Sequence, residues 1–314
     1  MSIAENKSTA TISALDREGF FPAAMVNITN RCNLKCRHCF IYSDANPNSP
    51  KGEMSDAAML YQLATLQKKF GILKMLWMGG EPLLRPGVLR EGVKLFAANT
   101  ITTNGTRELI ELPNCTYVVS LDGPPAINDA IRGHGTFAKV IKTLAHLPDS
   151  FASTVMVQCV VTRTNEAGLE ELVDRLQPTR VQGMTFSFYV PRSNDEGPHT
   201  WGSLERRDAA VRKAMALKDR YPDFIWNNRR SLELTLSPNA PAVTANCLSK
   251  KFVLPLYLEG DRFVTPFCCY GNDVDCDLCG AWVVFYMAAK FEASEWRSLL
   301  KTDGRPMQKR EAGI

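Results

Sequence analysis

The sequence lacks the features that would assign a chain to a membrane, to nucleic acid or to disorder. Its longest unbroken apolar run, Ala281–Ala289, is nine residues, against the ~20 that a membrane-spanning helix needs. The N-terminal stretch has no signal-peptide core, so a cytoplasmic protein without a membrane span is expected. Charge of either sign is barely in excess: 37 Lys and Arg against 33 Asp and Glu give a net +4. That balance is too mild to make nucleic acid or an anionic membrane surface the expected partner, and no basic stripe with interleaved aromatics runs through the chain. Histidine is scarce, with four in all. Three of them, His134, His146 and His199, stand at no ligand spacing and read as solvent-exposed or locally capping. No internal repeat or low-complexity tract is present. What the 314 residues do have is 45% hydrophobic content with 22% charged, enough to bury roughly three quarters of the unfolded surface. That excludes a disordered chain.

Cysteine is the plentiful exception, and its ten copies are unevenly spread. Cys32, Cys36 and Cys39 cluster early; Cys247, Cys268, Cys269, Cys276 and Cys279 cluster late; Cys115 and Cys159 stand apart and read as core. Where glutathione keeps thiols reduced, clustered cysteines are metal ligands more often than disulfides. Two metal centres are expected.

Residues 1–21 and 301–314 are polar and aperiodic and read as flexible ends. Between them, strand-like runs at Ala23–Thr29, Ile72–Met78, Ile101–Thr103, Tyr117–Leu121, Thr154–Val161 and Met184–Tyr189 alternate with helical patterns at Asp56–Phe70, Pro125–Leu147 and Glu166–Leu176. Strands separated by helix-length segments imply parallel βαβ units, and six in succession suggest an open or closed α/β barrel over 22–191, with its chemistry in the loops after the strands. After Pro191 the alternation stops. Residues 192–230 read as a linker and the helix Leu204–Arg220, and 231–300 as a small C-terminal appendix. There Phe252–Leu258 and Arg262–Pro266 flank a Gly260 turn, and the Ala281–Ala289 run reads as a buried helix.

Cys32, Cys36 and Cys39 follow the first strand directly. Three thiolates at this spacing hold three corners of a [4Fe–4S] cluster and leave one iron open; zinc, with His38 as a fourth ligand, is the alternative on spacing alone. Gly79-Gly80-Glu81-Pro82 ends the second strand, Thr103-Asn104-Gly105 the third, and Ser120-Leu121-Asp122-Gly123 the fourth, followed by Asn128-Asp129-Ala130-Ile131-Arg132-Gly133. In this order the motifs resemble the radical S-adenosylmethionine (SAM) enzymes over roughly 22–191, with CxxxCxxC as their signature loop.

The resemblance implies a partial (β/α)6 TIM-like barrel, a [4Fe–4S] cluster and SAM. It also implies reductive cleavage of SAM to a 5′-deoxyadenosyl radical that acts on a C–H or C=C bond. Gly79 and Gly80 would let backbone approach the methionyl zwitterion, and Glu81 would meet its amino group or else cap the loop. Arg132 would pair its carboxylate or else be a surface charge. Ser120 would bond ribose or methionyl and Asp122 would orient Arg132, unless both simply make a strand-ending turn; Asn104 joins this cofactor-binding set. The residue before the last cysteine, often aromatic in the family, is His38, so the adenine contact falls to His38 or Phe40.

In the late cluster, Cys247, one of Cys268 and Cys269, Cys276 and Cys279 make a closed four-thiolate set, zinc or iron–sulfur on spacing. The hairpin running into Cys268 resembles the SPASM and twitch appendices of the same superfamily, which implies one auxiliary [4Fe–4S] cluster. Adjacent residues on an extended segment point apart, so Cys268 is expected as the ligand. Cys269 is then a buried thiol or a hydrogen-atom donor. The expected substrate is a small biosynthetic intermediate of sugar, nucleoside or cyclitol type, because the ~20 residues before the barrel are too few for a leader-recognition domain. A peptide maturase and an isoprenoid-lipid adenosyl transferase are the alternatives. A flavodoxin or ferredoxin would donate electrons. A zinc-stabilised binding protein is the rival of a different class.

Overall fold

The computed structural model describes residues 12–42 and 52–293. Nine strands form one sheet: β1 (Ile12–Ser13), β2 (Ala23–Asn27), β3 (Lys74–Met78), β4 (Ala98–Thr103), β5 (Cys115–Ser120), β6 (Thr154–Val161), β7 (Gly183–Phe188), β8 (Val253–Glu259) and β9 (Arg262–Thr265). Strands β2 to β7 lie side by side in chain order and pair in parallel, for example Ala23 with Lys74 and Ser120 with Gln158. This is the partial (β/α)6 barrel: the sheet runs from β1 to β7 and does not close on itself.

Side chains alternate across each strand, and here the two faces differ in chemistry. Val26, Trp77, Ile101, Val119, Val157 and Phe186 face outward into the main core beneath the helices. The inner face of the later strands carries the hydrogen-bonding side chains Thr102, Ser120, Gln158, Thr185 and Ser187 interspersed with Val118, Met156 and Val160. Helix Asp56–Phe70 buries Met59, Leu63, Leu66 and Phe70 on the outer face; Ser55 caps its start and Gly71, at φ 68°, ends it. Such left-handed geometry favours glycine.

Three sequence expectations are corrected. The single helix over Pro125–Leu147 is two, Pro125–Arg132 and Thr136–Ala145, because Gly133 and Gly135 take φ values of 112° and 73° between them. Within the stretch read as a flexible end, Ile12–Ser13 pair antiparallel with β9 and Ala14 is buried, so the outer strand of the hairpin is not left as an open edge. The hairpin β8–β9 forms around Gly260 as expected, yet it does not stand apart: β8 pairs in parallel with β2, Ala24 opposite Leu254. The late-cysteine region is thereby joined to the strand that carries the early cysteines. Helices Pro86–Gly92, Arg229–Thr235, Ala240–Ala245 and Leu248–Phe252 were not legible in the sequence. The apolar run forms helix Trp282–Ala293, whose Phe285 packs with Leu234 and Ala240. Among the described residues no helix is long and apolar enough to cross a membrane. The 301–314 tail lies outside the described residues.

Candidate functional site

The chain leaves β2 and turns at once into the early cysteine loop, held on both flanks. Glu53 accepts hydrogen bonds from Thr29 Oγ1 and the Asn30 amide, both at 2.7 Å, and Asn30 Nδ2 donates to the Leu258 carbonyl on β8. Tyr42 donates to the Asn30 carbonyl. Gly79 and Gly80 let the loop after β3 lie directly on Thr29–Arg31: the Gly80 amide donates to Thr29 O at 2.7 Å and the Glu81 amide to Arg31 O at 2.8 Å. The backbone here approaches this chain's own cysteine loop closely. A Cβ on Gly80 would stand 2.0 Å from the Arg31 carbonyl oxygen. Gly80→Ala is therefore expected to displace the loop and cost about 1–3 kcal/mol of stability, an overpacking penalty that thermal unfolding measures.

The Glu81 carboxylate is fully buried and accepts from the Leu83 amide, Thr103 Oγ1 and the Asn104 amide. It caps the loop and ties the ends of β3 and β4 together. Burial raises its pKa, against those hydrogen bonds.

Asn104, held by Glu81, points Nδ2 at Cys32 Sγ at 3.8 Å and donates to Asn33 Oδ1 at 2.9 Å. The Leu34 amide lies 3.4 Å from the same sulfur. Cys32, Cys36 and Cys39 all act electrostatically on one another; burial pushes Cys36 up to about 11 and also raises Cys32.

Arg132 is not a surface charge. It is buried, its Nε 2.6 Å from Asp122 Oδ2, and its Nη1 lies 4.0 Å from Cys36 Sγ. Asp122 Oδ2 also meets His38 Nε2 at 2.7 Å, while Oδ1 accepts from the Val160 amide. Burial alone would raise the Asp122 pKa, but the Arg132 guanidinium and the His38 ring hold it well below the usual carboxylate range. A depressed folded-state pKa adds stability above the unfolded value of about 3.9 and loses it as pH falls through the folded value. Asp122→Asn is therefore expected to cost about 3–5 kcal/mol at pH 7, since it strands a buried guanidinium. Its stability should also depend less on pH below ~4, as acid titration followed by circular dichroism would show.

The sequence undervalued His199. It is 8% exposed, with Nδ1 3.0 Å from Thr164 Oγ1 and its ring 5.9 Å from that of His38 and 6.0 Å from that of Tyr189. No local spacing signals this, because Pro198–Thr200 arrives from beyond the last barrel strand. Phe40 turns the other way, onto Tyr270, with ring centroids 4.9 Å apart. A cavity of about 370 Å³ opens there, walled by His38, Cys39 and Phe40 on one side and by Tyr270 to Val274 on the other, with Tyr189 and Arg192 between. Ser120, at the end of β5, is half-buried on the inner face.

All five late cysteines line one cavity of about 610 Å³. The expectation that Cys268 and Cys269 face apart fails because the chain is not extended there. Cys268 and Gly271 exchange both backbone hydrogen bonds, which makes Cys269 and Tyr270 the corners of a tight turn. Burial pushes Cys268, Cys269 and Cys279 each up to about 12. Cys269 also packs with Met25, Val253 and Tyr257, and its carbonyl accepts from Tyr257 Oη at 2.9 Å. Cys115 and Cys159 are buried core, as read.

Among the described residues no three His, Cys, Asp or Glu side chains converge tightly enough to hold one metal ion. A multi-iron cluster draws its thiolates from around a larger body. The early donor set fits such a cluster, three thiols on one loop with N–H groups of Asn104 and Leu34 aimed at sulfur, and the five late thiols line one cavity.

A family model described as the radical SAM superfamily matches residues 26–176. Mycofactocin maturase MftC of Mycobacterium tuberculosis is 31% identical over 189 residues, covering 56% of this chain and 46% of that protein. The tungsten-containing aldehyde ferredoxin oxidoreductase cofactor-modifying protein of Pyrococcus furiosus is 32% identical over 190 residues, 54% of this chain and 52% of its own. The chain thus spans about half the length of these curated relatives. Among solved structures, anSMEcpe with bound AdoMet and a Cp18Cys peptide has a TM-score of 0.60 at 19% identity, covering 86% of this chain and 80% of that one. Streptococcus suis SuiB bound to the precursor peptide SuiA also reaches 0.60, at 15% identity over 85% of this chain and 65% of its own. At these identities the likeness is one of fold.

Proposed function

We propose, on the premise that this chain belongs to the radical SAM superfamily through residues 26–176, that it is an enzyme holding a [4Fe–4S] cluster on Cys32, Cys36 and Cys39 with SAM at the open iron. The chemistry this pair supplies when bound is one-electron cleavage of SAM to methionine and a 5′-deoxyadenosyl radical, which acts on a C–H or C=C bond of the substrate. One observation carries the reading. Three mutually close thiols sit on the loop after the first parallel strand, with a buried arginine pinned beside Cys36.

The chain's own residues divide the remaining work. Asp122 fixes Arg132 through Nε, leaving the outer nitrogens of the fork for the methionyl carboxylate, a planar recognition that lysine could not reproduce. Asp122 also sets the plane of the His38 ring, which supports His38 as the adenine contact. Phe40, committed to Tyr270, becomes a wall of the substrate cavity. Gly79, Gly80 and Glu81 hold the loop, the two glycines leave backbone bare where the methionyl zwitterion would approach, and Ser120 offers its hydroxyl to ribose. In the appendix, 231–300, four of the five late thiols hold a second [4Fe–4S] centre, and a flavodoxin or ferredoxin supplies electrons. Cys269 stands between that cavity and the inner-face side chains Met25 and Tyr257, the position a hydrogen-atom donor would need.

The substrate reading is a small, polar, uncharged biosynthetic intermediate. Thr102, Ser120, Gln158 and Thr185 on the inner face support it, because they recognise hydroxyls and amides rather than charge. A curated relative named for cofactor modification points the same way. A peptide substrate is the second reading, favoured by the two peptide-bound structural neighbours. Adding nucleosides and sugars, or unstructured peptides, to reconstituted protein with SAM and dithionite tests the choice. Only a true substrate should raise 5′-deoxyadenosine release above the uncoupled rate. Stimulation by peptides alone would overturn the first reading.

A further inference from the structure

Arg207, on helix Leu204–Arg220, is 2% exposed. Its Nη1 donates to the carbonyls of Leu278 at 3.2 Å and Cys279 at 2.9 Å, and its Nη2 donates to that of Thr235 at 2.7 Å. Among the described residues no carboxylate lies within ion-pair distance of it. The neighbouring Asp208 is turned onto the Ser237 amide and hydroxyl. The Cys279 side chain and Asp208 act on Arg207 electrostatically. A guanidinium buried on neutral carbonyls, with Asp208 turned elsewhere, is costly, and an anionic group in the thiol cavity that those carbonyls border would offset that cost. Arg207 reaches that cavity only through these carbonyls; the cations on its wall are Lys250 and Arg17. Lys250 Nζ is 3.3 Å from Cys276 Sγ and 3.7 Å from the centre of the Phe267 ring, and it also acts on Cys268. The acid on the cavity wall, Asp275, is already engaged by the Asp277 and Leu278 amides.

We propose that Arg207 and Lys250 form a positive frame around the late thiols that holds an anionic iron–sulfur centre there and raises its reduction potential. Arg207 is a positioning residue, clamping the Cys276–Cys279 turn through backbone carbonyls, and Lys250 acts directly on the sulfur of Cys276. The inference rests on the auxiliary-cluster reading above and goes beyond it. It says why the turn closes where it does and which charges set the redox level of the centre. Removing a fixed cation beside a cluster disfavours its more negative, reduced form, so the potential must fall.

The test is redox titration of the late centre in the full chain carrying Cys32, Cys36 and Cys39→Ala, where no other centre reports. Arg207→Met and Lys250→Gln should each lower the midpoint. A tenfold change in the oxidised-to-reduced ratio at fixed potential corresponds to about 59 mV for a one-electron couple. Arg207→Lys keeps the charge but not the fork. It should hold the potential near that of the parent while lowering the melting temperature of the metal-free chain. Lys250 is half-buried and closes no turn, so Lys250→Gln decides the matter even if Arg207→Met does not fold. Iron present with an unchanged potential in both charge-removing variants would overturn the frame. No late iron in the parent triple variant would instead overturn the auxiliary-cluster reading on which it rests.

Discussion

Replacing Cys32, Cys36 and Cys39 together by alanine is expected to abolish SAM cleavage, leaving about four irons, the content of one [4Fe–4S] centre. The loss should be complete rather than partial. The three sulfurs sit on one loop and act on one another, so no cluster with an open iron can form without them, and no late thiol lies on that loop. The fold should survive, because the loop is held by Glu53, Tyr42 and the Gly79–Gly80 backbone rather than by its sulfurs. Iron and sulfide analysis with product chromatography checks both halves. Residual 5′-deoxyadenosine from the triple variant would remove these cysteines from the chemistry.

The second large effect belongs to Cys276 and Cys279. Replacing both should empty the late centre, leave about four irons on the early loop, and lower the melting temperature of the iron-loaded protein by on the order of 10 °C. The free energy with which a closed thiolate site binds its metal is also folding free energy, and in a chain of this size a few kcal/mol moves the midpoint by about that much. The turn itself should persist, because the Cys279 amide donates to Cys276 O and Arg207 clamps the Cys279 carbonyl, so the loss reports the missing thiolates. Single replacements of Cys268 and Cys269 then separate the ligand from its neighbour in the turn: the variant that keeps full iron lacks the spare thiol. Undiminished iron in the Cys276/Cys279 variant would remove the auxiliary centre.

Local chemistry made much of this legible. Asp56–Phe70 and Leu204–Arg220 could be bounded from sequence because a serine caps each and apolar residues recur at helical spacing. The six barrel strands showed as short apolar runs, and the early motifs fell at their ends. Where reading failed, the cause was a contact between distant segments. Nothing local in Val253–Glu259 says that it will lie parallel to Ala23–Asn27, some 230 residues earlier. The same holds for Arg207, an arginine in a charged helix until the Cys276–Cys279 turn is brought to it. The part Glu81 plays in joining β3 to β4 was hidden for the same reason, since two of its three donors, Thr103 and Asn104, come from the end of β4. Cys268 and Cys269 were judged as an extended pair, whereas Gly271 folds them into a turn.

The central claim is that the early loop carries a cluster with an iron open to SAM. Anaerobically reconstituted protein, mixed with SAM and dithionite, should be brown and should yield 5′-deoxyadenosine and methionine in equal amounts. Colourless protein with stoichiometric zinc and intact SAM would contradict it.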